Sequence, residues 1–399
     1  MPLSVKADNS FQFSGFATLG ITSENKDDLG FLRDSNQSKN PSRDLSIHPD
    51  SIIGAQLSSA FADNWRVTTQ LAYRDRSEYE LDDGLELAFL AYRPVAGVDL
   101  RLGRVAVDMF QLSDFRRVDY ANLWMRPPTE VYAWILPSSI DGGDMAYGFS
   151  NHIGFWRIKL QYGNTKPNLE YPDGTELIEA KFNDFLVATF TLDFDAWRLR
   201  LSYSQATPES TDRGLIPSLT QAGALSTGPV RDEAALLANR FLNASGKKAR
   251  YTQASISYDN GDWLLDTELA KVTSTGAIIP TGMAGYMSIG RRIGEITPYA
   301  VYSRYDSDQE LYVSQVDWST SGFEPLRDFA IGIINGVQIE QHTSSVGVRW
   351  DFAPKMAFKA QWDNTHIEKE KFALWAHSND RSLNDTTVNL FSFALNFVF

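Results

Sequence analysis

The chain has 399 residues, of which 43% are hydrophobic and 22% charged, and its formal net charge is −13. This acidic balance argues against a nucleic acid partner, because phosphate binding needs concentrated lysine and arginine. Cysteine is absent, which excludes disulfides and thiolate chemistry, and no run of about 18 apolar residues is present to cross a membrane as a helix.

A short unit recurs along the chain: a turn, a tryptophan, and then a strict alternation of polar and apolar residues. It occupies residues 63–73, 154–162 and 195–203, with a variant at 261–269. Successive side chains of a strand point to opposite faces, so Trp156 and Ile158 share one face while Arg157 and Lys159 share the other. An apolar band with aromatic residues at both ends and a polar opposite face indicates a transmembrane β-barrel.

Alternating segments predict about sixteen antiparallel strands, an even number of the kind that bacterial barrels use. In chain order they cover residues 10–21, 51–61, 65–76, 85–93, 98–106, 145–151, 154–162, 178–192, 197–206, 249–258, 262–272, 282–291, 295–306, 339–350, 355–366 and 386–399. The predicted fold class is therefore an all-β transmembrane barrel, with residues 1–399 forming a single outer-membrane domain.

The connections between these strands alternate between two classes. Short turns fall near residues 62–64, 94–97, 151–152, 194–196, 260–261, 293–294 and 352–354. Long or polar loops fall at about 22–50, 77–84, 107–144, 163–177, 207–248, 273–281, 307–338 and 367–385. Because outer-membrane barrels have short turns on the periplasmic rim, the long loops are predicted to be extracellular.

Aromatic residues mark both ends of the predicted strands and thus two membrane girdles. Trp65, Trp156, Trp197 and Trp263 begin strands after short turns and Trp350 ends one before a turn, so these five are predicted to form the periplasmic ring. The predicted outer ring lies an even number of residues from these positions, towards the long loops. Its members are Tyr73, Tyr162, Tyr203 and Trp362.

The last segment, 386–399, places phenylalanine at alternate positions and ends in Phe399. This strand resembles the C-terminal assembly signal of Gram-negative outer-membrane porins. With about sixteen strands and a long third loop, the whole chain resembles the general porin superfamily. The resemblance implies a bacterial outer-membrane location, a third loop folded into the pore, a homotrimer surrounded by lipid bilayer and lipopolysaccharide, and insertion by the outer-membrane assembly machinery.

The third loop, 107–144, is the expected constriction. Its candidate residues are Asp108, Asp114, Arg116, Arg117, Asp119, Arg126 and Glu130, and Pro127-Pro128 stiffens its middle. Ser113 is in a position to cap a short amphipathic helix that runs to Trp124.

Parity places nine basic side chains on the pore wall: Arg66, Arg74, Arg101, Arg157, Lys159, Arg198, Arg200, Arg349 and Lys359. Opposed charges on loop and wall would create a transverse field across a narrow aqueous gap, which orders dipolar solutes. Six acids face inward by the same rule: Glu86, Asp99, Asp266, Glu268, Asp351 and Asp363. The alternative is therefore that many of these charges form structural ladders.

Two other loops carry distinctive patterns. The seventh, 307–338, is acidic, with Asp308, Glu310, Asp317, Glu324 and Asp328. These carboxylates suit loosely bound Ca²⁺ or Mg²⁺, or bridges to lipopolysaccharide, but a plain solvated loop is the simpler interpretation, and no dedicated metal site is predicted. The fifth loop, 207–248, contains a helix pattern at 229–242, predicted to pack over the barrel mouth or against a neighbouring subunit.

These features predict a porin for passive diffusion of small hydrophilic solutes and ions, without cofactor, with a weak preference for anionic or carboxylate solutes. The alternatives are a substrate-selective channel for sugars or dicarboxylates, a receptor or adhesin that uses the long loops, and a barrel hydrolase. An enzyme is not expected and no catalytic residue is assigned, because the five histidines (His48, His152, His342, His366 and His377) fall in no catalytic motif.

Overall fold

The computed structural model describes residues 10–38, 45–76, 84–135, 137–170, 177–210, 214–242, 247–274, 279–377 and 384–399. Sixteen strands form one closed antiparallel barrel. They are β1 (Ser10–Glu24), β2 (Ile52–Ala62), β3 (Trp65–Arg74), β4 (Leu85–Tyr92), β5 (Val98–Ala106), β6 (Ser139–Ser150), β7 (Phe155–Thr165), β8 (Leu177–Phe194), β9 (Trp197–Ser210), β10 (Ala249–Asp259), β11 (Trp263–Thr273), β12 (Gly282–Arg291), β13 (Ile296–Ser307), β14 (Ile339–Ala353), β15 (Met356–Phe372) and β16 (Thr386–Val398).

The barrel closes where β1 pairs with β16, from Phe16 opposite Val398 to Glu24 opposite Leu390. Beyond this register, the backbones of Phe399 and Gly15 exchange two hydrogen bonds of 2.9 and 3.0 Å. The predicted count of sixteen strands and the closed antiparallel fold are both confirmed. Closure removes the unpaired strand edges that a bilayer cannot solvate.

The polar and apolar residues that alternate in the sequence lie on opposite faces of the barrel wall. On β7, Ile158, Leu160 and Tyr162 are 44%, 46% and 56% exposed on the outer face, whereas Lys159 and Gln161 are 3% and 2% exposed inside. Large apolar side chains that remain exposed on strand after strand are stable only in contact with lipid. The barrel therefore spans a lipid bilayer.

The two rims differ as predicted, with turns on one and long connections on the other. At the short rim Trp65, Trp263 and Trp350 are exposed on the outer face, while Trp156 and Trp197 are half-buried because they pack on Phe190 and Tyr258. Towards the long rim, four exposed aromatic residues follow: Tyr73, Tyr162, Tyr203 and Trp362.

The third loop is shorter than predicted and covers residues 107–138, because β6 already begins at Ser139. Gly142 and Gly143 interrupt the alternation of polar and apolar residues, so this part of the strand was not predicted from the sequence. The wall is close-packed here, since a Cβ on Gly142 would lie 2.1 Å from the Tyr162 carbonyl oxygen. Similarly, β9 extends to Ser210, so the fifth loop covers 211–248.

Four α-helices lie in the described parts of the loops: α1 (Thr129–Tyr132), α2 (Leu215–Leu225), α3 (Gly228–Leu242) and α4 (Glu324–Gly336). None of the helices in the described ranges has the length and apolar character needed to cross a bilayer. Helix α3 matches the pattern predicted at 229–242. The helix predicted from Ser113 to Trp124 is wrong, because the Ser113 hydroxyl closes a turn with the Phe110 backbone and only a 3₁₀ turn, Asp119–Ala121, follows.

Helices α2, α3 and α4 form a second apolar core above the long rim, around Leu219, Leu237 and Trp318. Glu233 lies at its centre and accepts hydrogen bonds from Tyr312, Ser314 and Trp318. The seventh loop thus packs partly against α2 and α3, while its five acids all remain exposed, as in a solvated loop. Asp308 pairs with Lys271, Glu324 and Asp328 pair with Arg327, and no group of three metal-ligating side chains occurs in the described part of the chain.

Candidate channel interior

The third loop folds into the barrel and forms an apolar core with the inner wall, as the resemblance implied. Phe110 packs on Tyr251 and Trp124 packs on Tyr286, with ring centroids 5.5 and 5.3 Å apart. Sixteen strands enclose more space than wall side chains alone can fill. The third loop therefore occupies part of the barrel interior and packs against its wall.

The first and eighth loops also enter the barrel. Residues Leu29–Phe31 and Trp375–His377 pair as a short two-stranded sheet, and Leu29, Phe31 and Trp375 are all buried in the same apolar core as the third loop. The backbone amide of Ser35 donates to the Ala133 carbonyl at 2.8 Å. Three loops that are distant in sequence thus form one body inside the barrel.

Lys359 and Arg349, from the neighbouring strands β15 and β14, anchor the middle of the third loop. The Lys359 ammonium is fully buried and donates to the carbonyls of Asp119, Asn122 and Trp124 at 2.6, 2.6 and 2.7 Å. Arg349 donates to the Tyr120 and Asn122 carbonyls and pairs with Asp351 at 2.7 Å. These two predicted wall cations face inward, and their donors are directed at backbone carbonyls of the third loop.

Asp108 begins the third loop between two wall cations. Its carboxylate lies 3.0 Å from Lys159 and 2.6 Å from Arg200, and nearby Arg101 pairs with Asp144 at 2.7 Å. Burial would raise the pKa of Asp108, but Lys159 and Arg200 hold it well below its usual range. The carboxylate therefore stays ionised as part of a buried ladder.

A first-loop acid, Asp34, lies among the predicted constriction arginines. It accepts from Arg117 at 2.5 Å, from Arg116 at 3.1 Å and from Arg74 of the wall at 3.4 Å. Burial opposes its ionisation, but Arg117, Arg74 and Arg116 together hold the pKa of Asp34 well below its usual range. Burial and the neighbouring Arg117 lower the pKa of Arg116 to about 10, which still leaves it protonated at neutral pH.

Three further candidates of the third loop, Asp119, Arg126 and Glu130, are also bonded. Asp119 accepts from Arg33 of the first loop at 2.6 and 2.8 Å. Arg126 pairs with Asp50 at 2.5 Å and with Asp363 at 3.0 Å. The Glu130 carboxylate accepts from Ser303, Gln341 and Thr343 of the wall.

Six of the seven predicted constriction residues are therefore buried, and only Asp114 is exposed. Among the nine predicted wall residues, Arg198 pairs with Asp193 at 2.5 Å. Arg66 and Arg157 differ from the other wall cations, because both are exposed and neither has an ion-pair partner among the described residues. Arg66 shares the inner face with buried Thr68, and Arg157 with buried Lys159. The role of all these residues in conduction stays a prediction.

Sequence reasoning missed Arg33, Asp34 and Asp50, which neutralise the third-loop charges. They lie in a loop without regular alternation, and nothing in the sequence brings them next to residues 116–126. Between these loops and the wall is a cavity of about 30 Å³, lined by Arg126, Glu130, Asp363 and wall hydroxyls. It has room for about two water molecules.

Among the histidines, His342 and His366 lie side by side on the outer face of β14 and β15, with ring centroids 5.3 Å apart. His152 lies in a turn of the short rim. These three histidines are thus outside the loop body that lies in the barrel.

No family model and no curated protein matches the chain. Several solved structures are similar in fold. The anion-selective porin from Comamonas acidovorans has 10% identity and a TM-score of 0.55, over 98% of this chain and all of that one (100%). OmpF of Salmonella typhi, in complex with daunomycin, has 12% identity and a TM-score of 0.53 over 98% of both chains.

The trimer form of OmpT, an outer membrane protein of Vibrio cholerae, has 11% identity and a TM-score of 0.51 over 98% of this chain and 100% of that one. At these identities the similarity is one of fold. The chain thus has the fold of the general porins, over nearly its whole length.

Proposed function

We propose that the chain is an outer-membrane porin, a passive diffusion channel for small hydrophilic solutes and ions that favours anions, carboxylates among them. The observation that carries this proposal is a closed sixteen-stranded barrel with a polar inner wall and a third loop folded into it. A barrel of this size can hold an aqueous path beside such a loop. The porins of similar fold support the same general function.

The preference for anions is supported by the pairing of charges along the wall. The inward acids of the described strands are bonded within the protein: Asp144, Asp193 and Asp351 are ion-paired, while Asp266 and Glu268 accept hydrogen bonds. Arg66 and Arg157 are exposed and have no such partner within the described ranges. Unpaired guanidinium groups at an aqueous mouth raise the local concentration of anions. One of the similar structures is an anion-selective porin, which agrees with this assignment.

We also propose a homotrimer in contact with lipopolysaccharide. One similar structure is described as a trimer form, and the aromatic alternation of β16, ending in Phe399, suits recognition by the assembly machinery. Conductance steps in multiples of three would support the trimer.

The experiment is single-channel recording in a planar bilayer with a potassium chloride gradient. We expect stepwise conductance, and a reversal potential whose sign shows that chloride is more permeant than potassium. A folded protein that conducts no ions would overturn the channel function. A cation-selective reversal potential would overturn the anion preference alone.

A further inference from the structure

Two histidines form a pair on the outer face of the barrel, away from the loop body. His342 of β14 and His366 of β15 lie directly opposite each other in the strand register, and their ring centroids are 5.3 Å apart. Side chains at opposite positions of an antiparallel pair are close enough to act together. The register therefore brings two imidazole rings to one point of the wall.

This point lies on the long-rim side of the outer aromatic ring. Trp362, a member of that ring, precedes His366 by four residues on the same face of β15. Aromatic girdles mark the level of the lipid headgroups. Both histidines are partly exposed. The pair is therefore at a level that water and dissolved ions can reach.

The surroundings of the pair leave ring nitrogens available to a ligand. Nδ1 of His366 lies 3.2 Å from the Thr387 hydroxyl of β16. When Nδ1–H donates to this hydroxyl, Nε2 keeps a free lone pair, and the Glu368 carboxylate lies 3.7 Å from Nε2. The His342 ring has no hydrogen-bond or ion-pair partner among the described residues. Both imidazoles are thus free to bind an electrophile.

The charges next to the pair are compatible with a bound cation. Arg304 of β13 lies opposite His342 on its other side, but its guanidinium pairs with Asp306 at 2.5 Å. The Glu368 carboxylate adds a negative charge beside His366. A divalent cation between the rings would therefore face one carboxylate and a positive charge that is already compensated.

We propose that His342 and His366 together bind a divalent metal ion of the zinc class, with water in the remaining coordination positions. Imidazole nitrogen is a preferred ligand of Zn²⁺, Cu²⁺ and Ni²⁺. Two imidazoles on one tetrahedral ion, with metal–nitrogen bonds of about 2.1 Å, have ring centroids about 5 Å apart, which matches the observed separation.

Such an ion would join two strand ends that adjoin loops. The seventh loop leads into β14, which begins at Ile339, and the eighth loop follows β15, which ends at Phe372. The ion would hold these two ends together at the headgroup level. The inference does not depend on conduction through the barrel.

The test is titration calorimetry of zinc chloride into the untagged, detergent-solubilised chain at neutral pH. Excess Mg²⁺ in the buffer occupies sites made of carboxylates alone, such as those of the seventh loop. We expect His342→Asn and His366→Asn each to weaken Zn²⁺ binding at least about tenfold, because even the outer partners of metal ligands cost about 10–100-fold in affinity.

The matched control is His152→Asn, which makes the same change at an exposed histidine of the short rim. It should bind Zn²⁺ as the wild type does. If one variant of the pair does not fold, the other decides. A wild type that does not bind Zn²⁺, an unchanged affinity in either folded variant of the pair, or an equal loss in His152→Asn would overturn the site.

Discussion

Two sets of arginines face the inside of this barrel and differ in their surroundings. Arg66 and Arg157 each follow a tryptophan near the periplasmic rim, are exposed, and have no ion-pair partner among the described residues. Arg116, Arg117 and Arg126 are buried in the loop body, where each contacts at least one carboxylate. The same residue type thus provides a free charge at one end of the barrel and a structural charge in its middle.

The difference follows from solvation. An exposed guanidinium keeps its hydration and acts on mobile ions within a Debye length. A buried one has lost its hydration and is stable only when carboxylates and carbonyls replace the lost water. We therefore expect changes in the buried set to affect stability first, and changes in the exposed set to affect ion selectivity.

The largest effect is expected from Arg126→Met. The change leaves Asp50 and Asp363, both at most 5% exposed, without the cation that bridges them. Uncompensated buried charge costs about 3–5 kcal/mol in the free energy of unfolding. Urea unfolding of the folded barrel measures this loss.

The control for Arg126→Met is Arg327→Met on α4, where the partners Glu324 and Asp328 are at least half exposed. It should cost less than about 1 kcal/mol. Equal losses for the two variants would show that the loop body does not depend on its buried ion pairs.

A smaller loss is expected from Lys359→Met, which removes a cation that donates to three third-loop carbonyls. Asn122 keeps its bond from Arg349, so we expect a loss of about 2–3 kcal/mol, mainly from the Trp124 carbonyl. Amide hydrogen exchange should accelerate at residues 119–126. Lys271→Met removes an exposed lysine of the outer face and should leave this exchange unchanged. Unchanged exchange in Lys359→Met would contradict the anchoring role.

The contribution of Asp34 should depend on pH. Because its arginine neighbours hold the pKa of Asp34 below its usual value in the folded protein, its stabilisation is complete above the unfolded pKa of about 4 and is lost as pH falls through the folded pKa. Because the unfolded pKa is about 4, the difference in the free energy of unfolding between wild type and Asp34→Asn should be constant from about pH 5 to 7. It should shrink in more acidic solution. A difference that grows on acidification would contradict this assignment.

The wall could be predicted from sequence because lipid on one side and protein or water on the other impose period-two alternation on each strand. The sequence pattern alone therefore predicts that residues such as Trp65, Ile158 and Tyr162 lie on the outer face. Rim assignment followed from loop length. Helix α3 was predictable for a similar reason, since its apolar stripe has helical spacing.

The contacts inside the barrel could not be predicted in the same way, because the residues that pair there come from different loops and from the wall. Arg126 bonds Asp50 and Asp363, which are 76 and 237 residues away in sequence. No local pattern encodes such pairs. Parity predicted that Lys359 faces inward, and the resemblance implied that Arg116 and Arg117 lie in a loop folded into the barrel. Neither could distinguish a cation that meets water from one that holds a carbonyl.

The most direct test of this distinction is the reversal potential of Arg66→Ala/Arg157→Ala, recorded beside the wild type in the same potassium chloride gradient. Both residues are exposed and unpaired within the described ranges, so the double variant should lose less than about 0.5 kcal/mol of stability. We expect its reversal potential to shift towards that of a cation-selective pore, because the free positive charge of the mouth is gone. A reversal potential equal to that of the wild type would contradict the claim that these two exposed arginines set the ion preference.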